Sequence, residues 1–311
     1  MVIRIIIWVL VGGGIFFALP STVYTVMFLG VFHRGKRFLI ESDNLKNTQY
    51  YPLAEKLKAD ILQVKALPYK GVELTASDGV GLFGRYYENT SDRAVILVHG
   101  YQSNAFNNFS GILKDFFKKG YSVLLIDQRA HGQSGGRFTR VGHYEKDDLL
   151  LWIDYVAGQK QIKDIVIYGI SMGAATVGYA SEHIKSEKVK ALVMEAGFNT
   201  FYEMLSDNFD KVIMKKYALS YVYLTAKWFL KIDIKKSVEE SLKNNKVPTL
   251  FLHGDTDKEV KLDYTMRSFT ACASKKQMIT VEGAGHTLCY HIGGETVQQK
   301  IHSFLDGCIE N

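Results

Sequence analysis

The sequence predicts an α/β protein built on a mostly parallel, doubly wound sheet. Compact apolar runs alternate with longer amphipathic stretches over most of the 311 residues, a pattern typical of parallel strands covered by helices on both faces. The net charge is +5 over residues 1–70 and only +1 over residues 71–311. Because a nucleic-acid surface needs a basic stripe on the folded part of a protein, no nucleic-acid partner is expected.

The chain begins with a long uncharged segment. Residues 5–32 contain no charged side chain, and about 20 apolar residues are enough to span a bilayer. We interpret residues 1–33 as a single transmembrane anchor. A cleaved signal peptide, whose apolar core is only about 7–15 residues long, and a buried core helix are the alternatives. Arg4 precedes the run and four basic residues follow it, so the positive-inside rule places the rest of the chain on the cytoplasmic side. The four are Arg34, Lys36, Arg37 and Lys46.

The segment after the anchor is predicted to connect it to the main domain. Residues 41–68 are polar, with Lys and Glu among them and Leu and Tyr at mixed helical spacing, and we expect a helical connector over residues 34–70. The main domain, residues 71–311, opens with two short runs around Asp78-Gly79, a dipeptide that favours a tight hairpin turn.

Six further runs of Val, Ile and Leu are predicted to be buried strands, because each is short and nearly continuous. They are Ala94–Val98, Ser122–Ile126, Ile165–Tyr168, Ala191–Met194, Thr249–Leu252 and Met278–Val281. Helical patterns fill most of the intervals, for example Asn107–Lys118, Tyr144–Val156 and Met172–Lys185.

One interval is too long for a single crossover helix. Residues 199–246 hold at least two helical stretches and many aromatic side chains. We predict an inserted helical lid over the C-terminal edge of the sheet, where ligands bind in open α/β sheets. Its aromatic residues, among them Tyr221 and Trp228, are expected to line an acyl pocket. An ordinary pair of packing helices is the alternative.

Two segments match the pattern G-x-S-x-G, which can hold a nucleophilic serine. Gly169–Gly173 directly follows a predicted strand and opens a predicted helix, the context that a nucleophile elbow requires. The second match, Gly132–Gly136, lies five residues beyond its strand and leads into no helix. Ser171 is therefore the predicted nucleophile, and Ser134 is interpreted as a loop residue.

A serine at neutral pH needs a base, and the base must be oriented by an acid. His286 follows the last predicted strand and is the predicted base, whereas His291 and His302 fall in the final helical stretch. The order of nucleophile, acid and base along the chain is then that of an α/β-hydrolase sheet, if the acid lies between Ser171 and His286.

Three carboxylates compete for the role of the acid. Asp257 follows the strand Thr249–Leu252 and is the predicted acid. Asp255, two residues earlier, is the second choice. Glu195, at the end of another strand, is the third, because this chemistry can also place its acid there.

The oxyanion of the reaction needs donors that are in place before the reaction begins. The backbone N–H of Tyr101, just after the strand Ala94–Val98, and that of Met172, next to the nucleophile, are the predicted donors. His99 and His131 are expected to shape the neighbouring loops by hydrogen bonding and receive no catalytic role. The three cysteines, at 272, 289 and 308, have no spacing typical of a disulfide framework or a metal site.

With these motifs in place, residues 71–311 resemble the α/β-hydrolase superfamily, most closely its serine aminopeptidase and monoacylglycerol-lipase-like branch. The matching stretches are LVHGYQSN, DQRAHGQSGG, GISMG, HGDTDKEV and GAGH, in the order of the family. Membrane-anchored bacterial members share the arrangement of one N-terminal span, a short connector and this domain. The resemblance implies the α/β-hydrolase fold and hydrolysis through an acyl-enzyme, without a metal or an organic cofactor.

Three functions remain open on the sequence. The first is a serine hydrolase of ester, thioester or lipid acyl bonds, which the anchor and the aromatic lid favour. The second is a serine peptidase, but an aminopeptidase must hold a substrate ammonium, and the predicted lid has a net charge of +3. The third is a non-catalytic binding protein, which is disfavoured because all parts of the catalytic set are present.

Overall fold

The computed structural model describes residues 22–34, 50–209 and 215–310. Within them, eight strands form one sheet. The strands are β1 (Lys70–Thr75), β2 (Gly81–Tyr87), β3 (Arg93–Val98), β4 (Ser122–Asp127), β5 (Asp164–Ile170), β6 (Val189–Glu195), β7 (Thr249–Gly254) and β8 (Lys276–Val281). Their order in the sheet is β1-β2-β4-β3-β5-β6-β7-β8. β2 pairs antiparallel with β1 and β4, and all later neighbours pair in parallel.

Helices cover both faces of this sheet. Residues 22–32 form α1, and a 3₁₀ turn at Tyr51–Leu53 leads into α2. The others are α2 (Ala54–Lys65), α3 (Ala105–Lys118), α4 (Glu145–Ala157), α5 (Met172–Ala180), α6 (Phe201–Asn208), α7 (Lys215–Thr225), α8 (Val238–Leu242), α9 (Leu262–Ala271), α10 (Cys289–Ile292) and α11 (Gly294–Ile309), with a π-helical turn at Ala226–Leu230. The mostly parallel, doubly wound architecture is therefore confirmed.

The central strands are continuous apolar runs because a separate core lies on each face. On β3, Ala94, Ile96 and Val98 share one core with residues of α4 and α5. Val95 and Leu97 point to the other face and join residues of α3 and α11. Since successive side chains of a strand face opposite sides, each position of β3 meets protein. All six predicted strands are present, within a few residues at each end. Five of them are buried, whereas β8 lies at the edge of the sheet and exposes Gln277 and Thr280.

The predicted hairpin at Asp78-Gly79 is also present. β1 and β2 pair antiparallel on either side of it. Gly79 has φ of +81°, a left-handed conformation that glycine adopts without steric cost. The backbone N–H of Gly79 donates to the carbonyl of Ala76, at 2.9 Å, which closes the turn.

Only the end of the predicted membrane span, residues 22–33, lies within the described residues. Residues 1–21 lie outside the described residues. Among the residues that are described, no helix is long and apolar enough to cross a membrane. The end of the predicted span, α1, packs on the domain, where Phe28 and Phe32 are buried and the Phe32 ring lies 5.7 Å from that of Phe201. A membrane span is therefore not supported over residues 22–32. The prediction rested on hydrophobicity, which does not distinguish a segment buried in a protein core from one buried in lipid.

The described part of the predicted connector also packs on the domain. Residues 35–49 lie outside the described residues. α2 is held against α3, where Lys114 Nζ lies 2.6 Å from Asp60 Oδ1, and it buries Leu57 and Ile61. Lys70 begins the first strand, so the chain enters the sheet directly after this helix.

The long interval between β6 and β7 is helical over its described residues. α6, α7, the π-helical turn and α8 lie in it, and residues 210–214 are outside the described residues. α6 begins at Phe201 with Thr200 as its N-cap, whose side chain accepts a hydrogen bond from the backbone of Glu203. This cap fixes where the chain leaves the sheet edge, and it places α6 beside the ends of the central strands.

Candidate active site

The turn between β5 and α5 is sharp and strained. Ser171, between the two elements, has φ of 56° and ψ of −117°, a conformation that costs a non-glycine residue roughly 1–3 kcal/mol. Two glycines allow the turn. A Cβ on Gly173 would lie 1.9 Å from the carbonyl oxygen of Val98, and one on Gly169 would lie 2.4 Å from that of Gly173. The helix therefore packs directly on β3 and leaves the Ser171 side chain at the C-terminal edge of the sheet.

Ser171, His286 and Asp257 form a hydrogen-bonded chain. His286 Nε2 lies 2.9 Å from Ser171 Oγ, and His286 Nδ1 lies 2.7 Å from Asp257 Oδ2. In neutral His286, the carboxylate selects the tautomer with the proton on Nδ1. Nε2 then carries no proton and can accept that of the serine hydroxyl, which is the arrangement a general base requires.

The Asp257 carboxylate is buried but well supplied with donors. Its Oδ1 accepts the backbone N–H groups of Glu259 and Val260, each at 2.9 Å, and His253 Nε2 lies 3.4 Å from Oδ2. Burial on its own would raise the pKa of Asp257, but hydrogen bonds from His253 and His286 outweigh it and hold the pKa well below its ordinary value. Asp257 is therefore charged at neutral pH.

The pKa of His286 moves in the opposite direction. Burial on its own would lower it, because the charged imidazolium loses water. The hydrogen bond and the negative charge of Asp257 outweigh that effect and raise the pKa above its ordinary value. The base is thus stronger than a free histidine.

The two competing acids have structural partners instead. Asp255 Oδ1 accepts the backbone N–H of Gly283 at 2.7 Å and so holds the turn before His286. Glu195 is fully buried, and it accepts the Tyr168 hydroxyl at 2.6 Å and the backbone N–H of Cys289 at 3.0 Å. Burial raises the pKa of Glu195. Both residues brace the loop of the histidine without touching its ring nitrogens.

The rival serine and one rival histidine have structural partners. Ser134 Oγ donates to the carbonyl of Asp127 at 2.5 Å and accepts the backbone N–H of Phe83 at 2.8 Å, so the hydroxyl joins its loop to β2 and β4. His302 Nε2 lies 2.5 Å from Asp115 Oδ2, on the outer side of α3 and α11. His291, in α10, carries a pKa that burial lowers to about 4.

Two histidines order the loop after β3. The sequence predicts this role for His99, but for His131 it predicts a role in its own loop, residues 127–132. His99 Nε2 accepts the backbone N–H of Gln128 at 3.0 Å, so its Nδ1–H donates to the carbonyl of Gly100 at 2.7 Å. Burial lowers the pKa of His99 to about 3, which keeps the ring neutral and this pattern fixed. His131 Nε2 accepts the backbone N–H of Gln102 at 3.1 Å, a residue whose φ is +47°.

The two predicted oxyanion donors belong to segments that adjoin Ser171. Tyr101 lines the same cavity as Ser171 and His286. Met172 is the first residue of α5, and the first N–H groups of a helix have no acceptor within it. A Cβ on Gly100, the neighbour of Tyr101, would lie 3.3 Å from Ser171 Cβ. The loop after β3 therefore runs directly past the serine.

A cavity of about 660 Å³ opens over Ser171. One part of its wall is apolar and is formed by Val31, Phe198, Phe201, Met204, Leu205 and Val260. Of the aromatic residues expected to line an acyl pocket, Phe201 lines this cavity, whereas Tyr221 and Trp228 do not. Trp228 is 75% exposed, and Tyr221 packs on Tyr24 of α1. Trp228 lies in the π-helical turn and Tyr221 lies where α7 meets α1, so neither lines the cavity.

Several cavity residues were not predicted. Val31 and Tyr50 come from segments that we assigned to the anchor and the connector, where no motif points to a site. The Tyr50 hydroxyl lies 2.8 Å from Thr287 Oγ1, next to His286. Glu259 also lines the cavity, and its Oε2 lies 3.9 Å from His286 Nε2. Its position two residues after Asp257 was the one available signal.

Comparisons with known proteins agree on the fold. The family model described as alpha/beta hydrolase fold matches residues 93–219. The chain is 28% identical over 227 residues to the uncharacterized protein YqkD of Bacillus subtilis, covering 68% of this chain and 70% of that protein. It is 22% identical over 278 residues to a non-heme haloperoxidase of Rhodococcus erythropolis, covering 75% and 98%.

A solved structure extends the likeness to three dimensions. The esterase Pf2001 of Pyrococcus furiosus superimposes with a TM-score of 0.67 at 24% identity, over 79% of this chain and 93% of that one. The fold is therefore that of the α/β hydrolases, as the motifs imply. The branch within that superfamily stays a prediction.

The strain at the elbow can be measured as stability. Ser171→Ala keeps a side chain at φ 56°, whereas Ser171→Gly adopts this conformation freely, so the glycine variant should be the more stable by about 1 kcal/mol. Equilibrium unfolding in urea measures the difference. The same pair at an ordinary helix position, Ser220→Ala and Ser220→Gly in α7, should show the reverse order. An alanine variant at 171 as stable as or more stable than the glycine variant would contradict the strained conformation.

Proposed function

We propose that this protein is a serine hydrolase that cleaves an ester, thioester or lipid acyl bond through an acyl-enzyme intermediate. The observation that carries the proposal is the hydrogen-bonded chain from Ser171 Oγ through His286 to Asp257 at the floor of a cavity. The esterase of Pyrococcus furiosus, which shares the fold, supports acyl bonds as the substrate class.

In the proposed mechanism, Ser171 Oγ attacks the carbonyl carbon while His286 Nε2 takes its proton. The backbone N–H groups of Tyr101 and Met172 stabilise the tetrahedral oxyanion. The intermediate collapses as the imidazolium gives its proton to the leaving group, and the acyl-enzyme remains. Water, activated by the same imidazole, then attacks the acyl-enzyme, and the imidazolium returns its proton to Ser171 Oγ as the acid is released. Asp257 stays charged throughout and holds the ring in the productive tautomer.

The cavity favours a substrate with an apolar acyl group. Its apolar wall lies along α6 and the end of α1, and burial of each methylene contributes about 0.8 kcal/mol to binding. An aminopeptidase would use the same three side chains but would also have to neutralise a substrate ammonium. Among the described residues around the cavity, Glu259 is the carboxylate in reach, and it is 63% exposed. A non-catalytic binding role would leave the ordered triad without a purpose.

We further infer that the protein is attached to a membrane by its uncharged N-terminal run, with the domain on the cytoplasmic side. The outer face of the domain supports this location. Val23, Val26 and Leu29 of α1 are exposed, and α1 contacts α7 through Tyr24 and Tyr221. Further exposed apolar side chains belong to α7 and the π-helical turn, namely Tyr217, Leu224, Trp228 and Phe229. Residues 211–232 carry five Lys and no Asp or Glu, which suits an anionic lipid surface.

The proposed triad predicts a specific pattern of activity loss. Ser171→Ala and His286→Ala should each remove nearly all ester hydrolysis, on the order of 10⁶-fold in kcat, because the residues act as a unit. Asp257→Asn should cost on the order of 10⁴-fold, since it disturbs the tautomer but leaves the nucleophile. Ser134→Ala is the matched control and should keep wild-type turnover. A fluorophosphonate should label Ser171 alone. Turnover that survives Ser171→Ala, or label on Ser134, would contradict the proposal.

The raised pKa of His286 predicts the pH dependence of hydrolysis. The base works only when neutral, so kcat/KM should fall as the pH drops through its pKa, with a midpoint above the ordinary value of about 6.5. Asp257→Asn removes the hydrogen bond and the charge that raise this pKa, so the midpoint of its residual activity should move to lower pH. Asp263→Asn, on the exposed face of α9, should leave it in place. A midpoint that does not respond to Asp257→Asn would exclude this coupling.

The membrane location predicts that Trp228 contacts lipid. In a Trp8→Phe variant incorporated into anionic nanodiscs, brominated acyl chains should quench the emission of Trp228, because exposed Trp side chains settle at the membrane interface. Trp152, which is buried in the core, should be unaffected in a Trp8→Phe, Trp228→Phe variant. Emission of Trp228 that is insensitive to brominated lipid and open to iodide would place this face of the domain in water.

A further inference from the structure

The end of α1 lies over the loop that carries a proposed oxyanion donor. The hydroxyl of Tyr101 donates to the carbonyl of Val31 at 2.5 Å and lies 3.3 Å from that of Gly30. The side-chain amide of Gln102 donates to the carbonyl of Gly30 at 3.1 Å and to the Tyr101 hydroxyl at 2.8 Å. Two consecutive residues of the loop therefore bind the same turn of the helix.

The carbonyl groups in the last turn of α1 are available to accept hydrogen bonds. The last four carbonyls of a helix have no partner within it, and Gly30 and Val31 belong to this set in α1, which ends at residue 32. Burial raises the pKa of the Tyr101 phenol, so the hydroxyl keeps its proton and acts as the donor. The contact thus gives hydrogen-bond partners both to the helix carbonyls and to the side chains of Tyr101 and Gln102.

The helix is itself fixed on the domain just beyond this turn. Phe32 is fully buried, and its carbonyl accepts the backbone N–H of Thr139 at 2.9 Å. The Arg34 guanidinium donates to the carbonyl of Ser134 at 2.8 Å and to that of Gly132. The carbonyls of α1 that accept from Tyr101 and Gln102 are therefore held in place by contacts of their own, independently of the loop.

The loop needs such support. Gln102 has φ of +47°, and a side-chain-bearing residue stays in that region only where its surroundings hold it. On the inner side, His131 accepts the backbone N–H of Gln102 and His99 donates to the carbonyl of Gly100. α1 supplies the outer side. Between these two sets of contacts lies the backbone of Tyr101.

We propose that α1 is a positioning element of the active site: the carbonyls of Gly30 and Val31, through the side chains of Tyr101 and Gln102, fix the loop that presents the Tyr101 N–H to the oxyanion. The proposal rests on the hydrolytic function proposed above, because the position of this N–H matters only where an oxyanion forms. It goes beyond that function by assigning a catalytic consequence to residues outside the α/β domain predicted from the motifs.

The test compares two tyrosine hydroxyls that make the same kind of bond. Tyr101→Phe removes the bond to α1 and keeps the ring. Tyr179→Phe is the control, because its buried hydroxyl also donates to a backbone carbonyl, that of Lys236, at 2.8 Å. With a soluble p-nitrophenyl ester, Tyr101→Phe should lower kcat by about tenfold at nearly constant KM, less than the roughly 10²–10³-fold that follows loss of a whole donor. Tyr179→Phe should leave kcat unchanged.

If the Tyr101 hydroxyl only stabilised the fold, its loss would not weaken binding of a transition-state analogue selectively. The affinity of Tyr101→Phe for a trifluoromethyl ketone, whose adduct carries the oxyanion, should fall by the same factor as kcat, as expected for an interaction made in the transition state. Wild-type kcat and wild-type ketone affinity in Tyr101→Phe would overturn the proposal. A wild-type chain that hydrolyses no ester and takes no fluorophosphonate label would instead refute the proposed function.

Hydrogen exchange tests the positioning without any turnover. Amides of residues 99–104 should exchange faster in Tyr101→Phe than in the wild type and in Tyr179→Phe. Arg34→Ala approaches the same contact from the other side, since it releases the end of α1 while leaving Tyr101 intact, and it should accelerate exchange in the same loop. Unchanged exchange of residues 99–104 in both variants would overturn the proposal.

Discussion

The close contact between the start of α5 and the end of β3 is the constraint on which the site depends. Gly173 has no room for a Cβ because the carbonyl of Val98 occupies that space. The chain must therefore turn sharply at Ser171, and its strained backbone is the result. The same contact draws the loop after β3 past the serine. The proposed nucleophile and the peptide proposed to stabilise its oxyanion are thus set side by side by backbone packing, before the side chains of the proposed triad are considered.

Most of the sheet and the centre of the site could be predicted because both depend on local sequence. Strands that meet protein on both faces must be apolar throughout, and β3 to β7 show this directly. The site residues follow strand ends, so the pattern of strand and turn locates them. Local sequence does not decide whether Asp255 or Asp257 contacts the histidine. The two residues share one turn, and only the fold decides that one carboxylate binds Gly283 while the other binds His286.

The rest could not be predicted because it depends on which surfaces meet. Phe28 and Phe32 would be equally suited to lipid, and nothing in their spacing indicates that they pack on Phe138, Phe201 and Phe229. The aromatics of residues 199–246 raise the same difficulty. Their number favours a binding function, but the register of each helix decides which side chains face the cavity, and α6 turns Phe201 inward while the π-helical turn leaves Trp228 outside.

Helix α1 lies between the outer face of the domain and the cavity. Its outer side carries Val23, Val26 and Leu29, and Val31 on its inner side lines the cavity, while its last carbonyls accept the Tyr101 hydroxyl. The end of this helix is fixed on the domain by Phe32 and Arg34. Under the proposed arrangement, two hydrogen bonds connect the helix that faces the bilayer to the oxyanion loop. Membrane attachment and transition-state stabilisation then share one structural element, although the residues responsible lie about 70 positions apart in the sequence.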